Sequence, residues 1–140
     1  MSRFSKLLLA TLLAALFGAA FAQGEELTPT VEFTLQGGIG SQGFEWVGVG
    51  GDIDGVRNPD LNVKVGDVVK VTIISGDGMQ HDFAIDELEV KSEPVTAQGE
   101  EVSITFEVTE AGTFIYYCTT PGHAMPESNF GMFGNFIVGE

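Results

Sequence analysis

Residues 68–75 read VVKVTIIS, and this stretch gives the clearest indication of the fold. The apolar residues at the odd positions from 69 to 73 alternate with Lys70 and Thr72. Such alternation is typical of a β-strand with one buried and one exposed face. Residues 103–108, which read SITFEV, alternate in the same way. The two stretches predict strands whose apolar faces share one core.

The rest of the sequence after residue 30 has the same character. Short runs of β-branched and aromatic residues are separated by turn signals such as Gly37-Gly38 and Gly66-Asp67, and no apolar stripe recurs at helical spacing. This pattern predicts an all-β fold, a Greek-key β-sandwich of about eight strands. Residues 86–99 are expected to form the longest connection, as a short helix or an irregular loop. The predicted strands cover residues 31–36, 44–49, 61–65, 68–75, 81–85, 103–108, 113–118 and 133–138.

The first 22 residues are typical of a cleaved signal peptide. Arg3 and Lys6 precede an uncharged, mostly apolar run at 7–17, and Ala20-Phe21-Ala22 has the small-x-small form that signal peptidases cut. The run is shorter than the roughly 20 residues that a membrane-spanning helix needs. We therefore expect export to the periplasm or the cell exterior, and a mature protein that does not span a membrane. The predicted divisions are a signal peptide at 1–22, a flexible amino-terminal arm at 23–30 and one domain at 31–140.

Cys118 is the only cysteine of the chain. An exported protein of this size that has one cysteine contains no internal disulfide. Its thiol is therefore either buried and inert or used for chemistry.

The charge balance is strongly acidic. Removal of residues 1–22 leaves four basic and 20 acidic residues, a formal net charge of −16. This composition excludes nucleic acid as a partner, because phosphate binding relies on clusters of lysine and arginine. It favours encounters with basic proteins, although acidity that serves solubility alone explains it equally well.

Potential metal ligands fall where predicted strands end. Residues 113–123 read TFIYYCTTPGH, so a strand delivers Cys118 to its tip and a tight loop returns at His123. Met132, within Gly-Met-Phe-Gly, lies just before the next predicted strand, and His81 opens another strand after a glycine-rich turn. If the strands that carry His81 and Cys118 are neighbours, four ligand atoms meet at one end of the sandwich.

These four side chains have the chemistry of a copper site. Two imidazoles, one thiolate and a weakly held thioether form the site in which copper lies in a trigonal His2Cys plane with a long axial Met. Structural zinc sites use cysteine and histidine in paired spacings, which this sequence lacks. A lone cysteine is often an inert core residue, but here the only cysteine and both histidines fall at one predicted end. The pattern predicts one bound copper ion.

The motifs resemble those of the cupredoxins, the type 1 blue copper proteins. The Cys-x4-His loop and the Gly-Met-Phe-Gly at 131–134 are most similar to those of rusticyanin and auracyanin and of the blue-copper domain of nitrite reductases. The resemblance covers residues 31–138 and implies a cupredoxin-like Greek-key sandwich. It also implies a copper site with the ligands His81, Cys118, His123 and Met132.

The sequence departs from the family pattern at two positions. Methionine commonly follows the second histidine by five residues, whereas Met132 follows His123 by nine. Met125 is therefore an alternative axial ligand, although Met132 has flanking glycines as in the family and adjoins the final predicted strand. The second departure is Asp82 directly after His81, where many members have asparagine or serine. A carboxylate there can accept backbone N–H groups and should favour Cu(II).

The resemblance implies a mobile one-electron carrier rather than an enzyme. Copper enzymes of the nitrite reductase or multicopper oxidase kind need further histidines for a second site, and this chain has two in all. A binuclear purple copper centre would need a second cysteine. The alternative is a copper chaperone or storage protein without redox shuttling, which the three methionines of the mature chain disfavour. The expected partners of the monomer are redox proteins such as a c-type cytochrome, an oxidase or a reductase.

Aromatic residues supply a candidate docking surface near the predicted site. Phe44, Phe130 and Phe133 could surround an exposed edge of His123, through which the family usually exchanges electrons. Trp46 is better explained by packing in the core.

Overall fold

The computed structural model describes residues 26–140. The predicted signal peptide lies outside this range. No helix among residues 26–140 is long and apolar enough to cross a membrane. Short 3-10 helices occur at Gly51–Ile53, Asp86–Leu88 and Pro126–Ser128. The strands are β1 (Val31–Gly40), β2 (Gly43–Gly48), β3 (Leu61–Lys64), β4 (Val68–Ser75), β5 (Ala84–Ile85), β6 (Val90–Lys91), β7 (Glu101–Glu107), β8 (Gly112–Tyr117), β9 (Ala124–Met125), β10 (Phe130–Gly131) and β11 (Phe133–Gly139).

The strands form two main sheets, as expected for a sandwich. One sheet has the order β2-β1-β4-β7 and the other the order β3-β11-β8-β5-β6, while β9 and β10 pair as a small separate hairpin. The pairs β1/β4 and β3/β11 are parallel, and the remaining pairs of the two sheets are antiparallel. Chain segments therefore cross between sheets, which is consistent with the predicted Greek-key sandwich.

The alternation in β4 places its side chains as the sequence predicts. Val69, Val71 and Ile73 lie in the core, whereas Lys70 and Thr72 are partly exposed on the outer face. The largest buried side chains sit between the sheets and include Trp46, Tyr116, Phe83 and Phe136. Burial of each of these side chains stabilises the fold by about 1.5–3 kcal/mol.

Glycines at 37 and 38 lie inside β1, and the predicted turn there is wrong. The strand continues to Gly40 because its pairing with β2 runs without interruption to Gly43. Glycine is needed at 37 for space rather than for a turn. A Cβ atom at Gly37 would lie 2.7 Å from Met132 Cε and 2.9 Å from Trp46 Cζ3.

The predicted strand at 81–85 is shorter in the structure, where only Ala84–Ile85 belongs to β5. His81 instead forms an isolated bridge with Val95, in which each N–H donates to the other residue's carbonyl at 3.0 and 2.9 Å. The connection at 86–99 therefore folds back and pairs with His81 through Val95, as an isolated bridge rather than a continuous strand. It contains a 3-10 helix, in agreement with the expected short helix, and also β6.

The end of the predicted amino-terminal arm is bonded to the domain at Thr30. Its N–H donates to the Val68 carbonyl at 2.8 Å, and its hydroxyl donates to Asp67 Oδ1 at 3.0 Å. The arm therefore has a fixed point where β1 begins.

Candidate metal centre

Neighbouring strands bring the predicted ligands to one end of the sandwich. Cys118 directly follows β8, and His123 directly precedes β9. Met132 lies between β10 and β11, and His81 precedes β5. Because β8 pairs with both β5 and β11, the segments that carry these residues converge. The condition set by the sequence, that the strands of His81 and Cys118 be neighbours, is met.

Three donor atoms converge within this end. The Nδ1 atoms of His81 and His123 are 3.3 Å apart, and Cys118 Sγ is 3.8 Å from His123 Nδ1. The donor atoms of all three residues lie within 4.8 Å of one another, and all three residues are buried. Nitrogen ligands about 2 Å from one metal ion lie roughly 3–4 Å apart. The spacing and the donor types fit a single copper ion, which His81, Cys118 and His123 would hold.

Met132 ties the loop of Cys118 and His123 to the last strand. Its carbonyl accepts the Cys118 N–H at 3.0 Å, and its N–H donates to the His123 carbonyl at 2.8 Å. Gly131 permits this close approach, since its φ is +95° and a Cβ there would lie only 2.1 Å from the His123 oxygen. Both the left-handed backbone and the contact require glycine.

The two candidate axial methionines have different environments. The Met132 side chain is fully buried. A Cβ atom added at Gly37 would lie 2.7 Å from Met132 Cε and 3.2 Å from His81 Cδ2. The thioether therefore packs beside the His81 ring. Met125 is 40% exposed, and it pairs with Phe130 in the small hairpin of β9 and β10. The extra length between His123 and Met132 forms this hairpin.

Asp82 cross-links the His81 segment to the loop that follows Cys118. Its Oδ1 accepts the Thr119 N–H at 2.6 Å, and its Oδ2 accepts the Thr119 hydroxyl. Lys91 Nζ lies 3.8 Å from Oδ2. The carboxylate thus accepts a backbone N–H, as the sequence analysis predicted.

Asp77, in the glycine-rich turn that precedes His81, also contacts the site, a role that the sequence analysis did not assign to it. Its Oδ1 accepts a hydrogen bond from His81 Nε2 at 2.8 Å and another from the Met79 N–H at 2.9 Å. Burial raises the pKa of Asp77, but the Met79 amide and the His81 ring outweigh it, so the pKa lies below its ordinary value. The Gly76-Asp77-Gly78 sequence signals the turn, but nothing in it shows which way the carboxylate points.

Asn58 is a second residue that the sequence did not reveal. Its Oδ1 accepts the Trp46 N–H at 2.9 Å, and its Nδ2 donates to the Gly131 carbonyl at 2.9 Å. It adopts a left-handed backbone with φ 45°, which asparagine tolerates well. Asn58 therefore bridges β2 to the segment that carries Met132.

Aromatic rings enclose both imidazoles. The Phe44 ring stacks on His123, and the Trp46 and His81 rings form a T-shaped pair with centroids 6.1 Å apart. Trp46 is fully buried, as the packing interpretation predicted. Phe44 is partly buried.

Burial favours the neutral forms of Cys118 and His123 in the metal-free protein. Burial raises the pKa of the Cys118 thiol, and the N–H groups of Asp82 and Thr120 oppose this only in part. Burial and the adjacent His81 lower the pKa of His123. Neutral imidazoles are ready to bind a metal ion, whereas the thiol must first release its proton.

The sequence profile described as copper binding proteins, plastocyanin/azurin family, matches residues 57–139. The matched range contains all four predicted ligands. The chain belongs to this family. The cupredoxin therefore binds copper, and His81, Cys118 and His123 form a potential metal site typical of type 1 copper.

Solved structures share the fold of this cupredoxin. Auracyanin B is 19% identical over 83% of this chain and 94% of its own, with a TM-score of 0.58. Rusticyanin from Thiobacillus ferrooxidans is 24% identical over 79% of each chain, also with a TM-score of 0.58. A Cu-containing nitrite reductase from Thermus scotoductus is 23% identical over 78% of this chain but only 27% of its own, with a TM-score of 0.53. No curated protein matches the sequence significantly.

Proposed function

We propose that this cupredoxin is an exported one-electron carrier whose single copper ion is bound by His81, Cys118, His123 and Met132. The observation that carries the proposal is the buried convergence of two imidazole nitrogens and one thiol sulfur within 4.8 Å. The family supports copper-based electron transfer as the general activity. The fourth ligand follows from burial, because Met132 is enclosed beside His81 whereas Met125 is 40% exposed.

A type 1 copper, when bound, supplies a Cu(II)/Cu(I) couple that takes one electron from a donor protein and gives it to an acceptor protein. The residues of the chain hold the ligands in place for this exchange. The Cys118 and His123 backbones are bonded to Met132, and Asp82 fixes the start of their loop at Thr119. Ligands fixed in this way need little rearrangement when the charge at the site changes.

Electron transfer fits the site better than catalysis. Both histidines of the chain belong to this cluster. Within residues 26–140 it is the one group of three or more His, Cys, Asp or Glu side chains close enough to hold a metal ion. A second copper centre of the kind that oxidases and nitrite reductases use therefore has no histidine ligands in this chain.

Exposed apolar side chains support docking at the copper end. Met79 and Met125 are 39% and 40% exposed, and each lies two residues from a histidine of the site. Ile39 is 63% exposed and pairs with Phe44, which covers His123. A small apolar surface within an acidic protein suits a transient encounter with a basic redox partner, such as a c-type cytochrome, an oxidase or a reductase. The signal-peptide pattern of residues 1–22 supports a periplasmic or extracellular location. We propose that the carrier is a monomer.

The spectrum of the copper-loaded protein tests the function. An intense thiolate-to-copper absorption, the matching spin-resonance spectrum and a reversible one-electron potential are expected. The Cys118→Ala variant should lose the absorption, and Met132→Leu should change it more than the control Met125→Leu. A colourless protein that binds only Cu(I) would contradict the proposed electron transfer and favour copper storage as the function.

A further inference from the structure

Asp77 is an acidic residue that contacts the ring of a proposed ligand directly. It lies in the turn between β4 and β5, four residues before His81. Its Oδ1 is 2.8 Å from His81 Nε2, and the His81 side chain is fully enclosed while that of Asp77 is 18% exposed. The other ring nitrogen, Nδ1, faces His123 Nδ1 at 3.3 Å.

We propose that Asp77 is a positioning residue for His81: its carboxylate selects the ring tautomer whose Nδ1 is free to bind copper, and its charge lowers the reduction potential. A neutral imidazole has one N–H and one lone pair, and the hydrogen bond at one nitrogen decides which atom carries the proton. A carboxylate at Nε2 places the proton there, so the lone pair of Nδ1 points at Cys118 and His123. Partners of this kind commonly orient metal-binding histidines and increase their basicity.

The surroundings hold the Asp77 carboxylate in one orientation. Oδ1 also accepts the Met79 N–H at 2.9 Å. Ser75 fixes the same turn, because its hydroxyl accepts the Gly78 N–H at 3.1 Å and donates to the Met79 carbonyl at 3.1 Å. The carboxylate therefore stays behind the His81 ring instead of turning toward solvent.

The charge of Asp77 acts on the site through His81. Its second oxygen, Oδ2, is buried and has no hydrogen-bond partner among residues 26–140. Negative charge in a partly buried position is screened less than charge at the surface. It stabilises Cu(II) more than Cu(I), because the oxidised site carries one more positive charge. Asp82 differs from Asp77 because its oxygens bond to Thr119 rather than to a ligand ring.

Two substitutions separate positioning from the ordinary turn-forming role. Asp77→Ser keeps an oxygen that can accept the Met79 N–H, but its side chain is too short to reach His81 Nε2. Asp77→Asn keeps an oxygen for both contacts and removes the charge. The matched control is Asp54→Ser, since Asp54 Oδ1 closes another turn by accepting the Gly50 N–H at 2.8 Å.

The first measurement uses the metal-free protein. Nitrogen chemical shifts of the imidazoles, recorded at a pH where both rings are neutral, should show His81 protonated at Nε2 in the wild type, in Asp77→Asn and in Asp54→Ser. Asp77→Ser should show a mixture of tautomers. A single Nε2–H tautomer in folded Asp77→Ser would overturn the proposal. This readout does not depend on copper or electron transfer.

The second measurement uses the copper-loaded protein and rests on the proposed function. Asp77→Ser should lose about 10–100-fold in Cu(II) affinity. Asp77→Asn should raise the reduction potential. Each tenfold loss of Cu(II) affinity that leaves Cu(I) affinity unchanged raises the potential by about 59 mV. An unchanged potential in Asp77→Asn overturns the electrostatic role. If Asp77→Ser fails to fold, the potential of Asp77→Asn becomes the test of the proposal. The His81 tautomer could depend on Asp77 while the copper protein shows no reversible potential. That result would support the positioning role and contradict the carrier function.

Discussion

The Phe44 ring lies flat against the His123 imidazole, with ring centroids 3.9 Å apart and planes inclined by 19°. Phe44→Leu keeps an apolar side chain and removes this stack, so the metal-free protein should lose about 0.5–1.5 kcal/mol beyond the loss from reduced burial. Denaturant unfolding measures the change. Phe114→Leu is the control for burial alone, because Phe114 is also partly buried against the core. Equal losses in the two variants would show that the stack contributes nothing of its own.

Gly37 leaves the space that the Met132 thioether occupies. In Gly37→Ala the new Cβ would meet Met132 Cε at 2.7 Å and His81 Cδ2 at 3.2 Å, so the methionine must move. We expect a loss of about 1–3 kcal/mol in the free energy of unfolding, together with an altered visible spectrum of the copper form. The adjacent Gly38→Ala is the control, since its nearest neighbours are 3.9 Å away. Identical spectra for the two variants would show that the Met132 thioether does not bind the copper.

Asn58 joins two backbone groups from segments far apart in sequence. Asn58→Ala leaves the Trp46 N–H and the Gly131 carbonyl without these bonds, which should cost about 1–3 kcal/mol for a buried group. Unfolding of the metal-free protein measures this loss. Asn135→Ala removes an exposed hydrogen bond to Asp60 and should change stability by about 0.5 kcal/mol or less. A comparable loss in both variants would argue against a special role for Asn58.

Glu100 makes the stability of the metal-free protein depend on pH. The Thr96 and Ala97 amides donate to its carboxylate at 2.8 and 3.0 Å and hold its pKa below the ordinary value of 4.5. The stabilisation is present above the unfolded-state pKa and is lost as the pH falls through the lower folded-state pKa. Glu100→Gln should therefore melt at a lower temperature than the wild type at neutral pH, and the gap should close in acid. Melting temperatures across a pH series, with Glu107→Gln as control, test this; a constant gap contradicts it.

Electron exchange with a basic partner should slow as salt rises. The acidic surface attracts a basic protein over a distance of about one Debye length, which shrinks from about 10 Å at 0.1 M to 3 Å at 1 M. Stopped-flow rates with a basic c-type cytochrome at increasing ionic strength measure the effect. An acidic cytochrome is the control, and its rate should not fall. A rate with the basic partner that is independent of salt would exclude electrostatic steering.

The sequence predicted the sandwich from local pattern, and it predicted the convergence of His81, Cys118 and His123 on the condition that two strands are neighbours, as β5 and β8 are. Alternation marks the strands, and each ligand lies where a strand or its loop ends. Gly37 was misread because glycine serves packing there, and the atoms it makes room for belong to Met132 and Trp46. Asn58 could not be found because its bond to Gly131 spans 73 residues of sequence. Asp77 is near His81 in sequence, but the direction of its carboxylate is set by the folded turn.

The main-chain bonds of Met132 join the metal site to the last strand. Its carbonyl accepts the Cys118 N–H and its N–H donates to the His123 carbonyl, and β11, which begins at the next residue, lies between β3 and β8. Fraying of β11 from its neighbours would therefore break both bonds and loosen the loop that carries Cys118 and His123. An intact site reports that the last strand is in place.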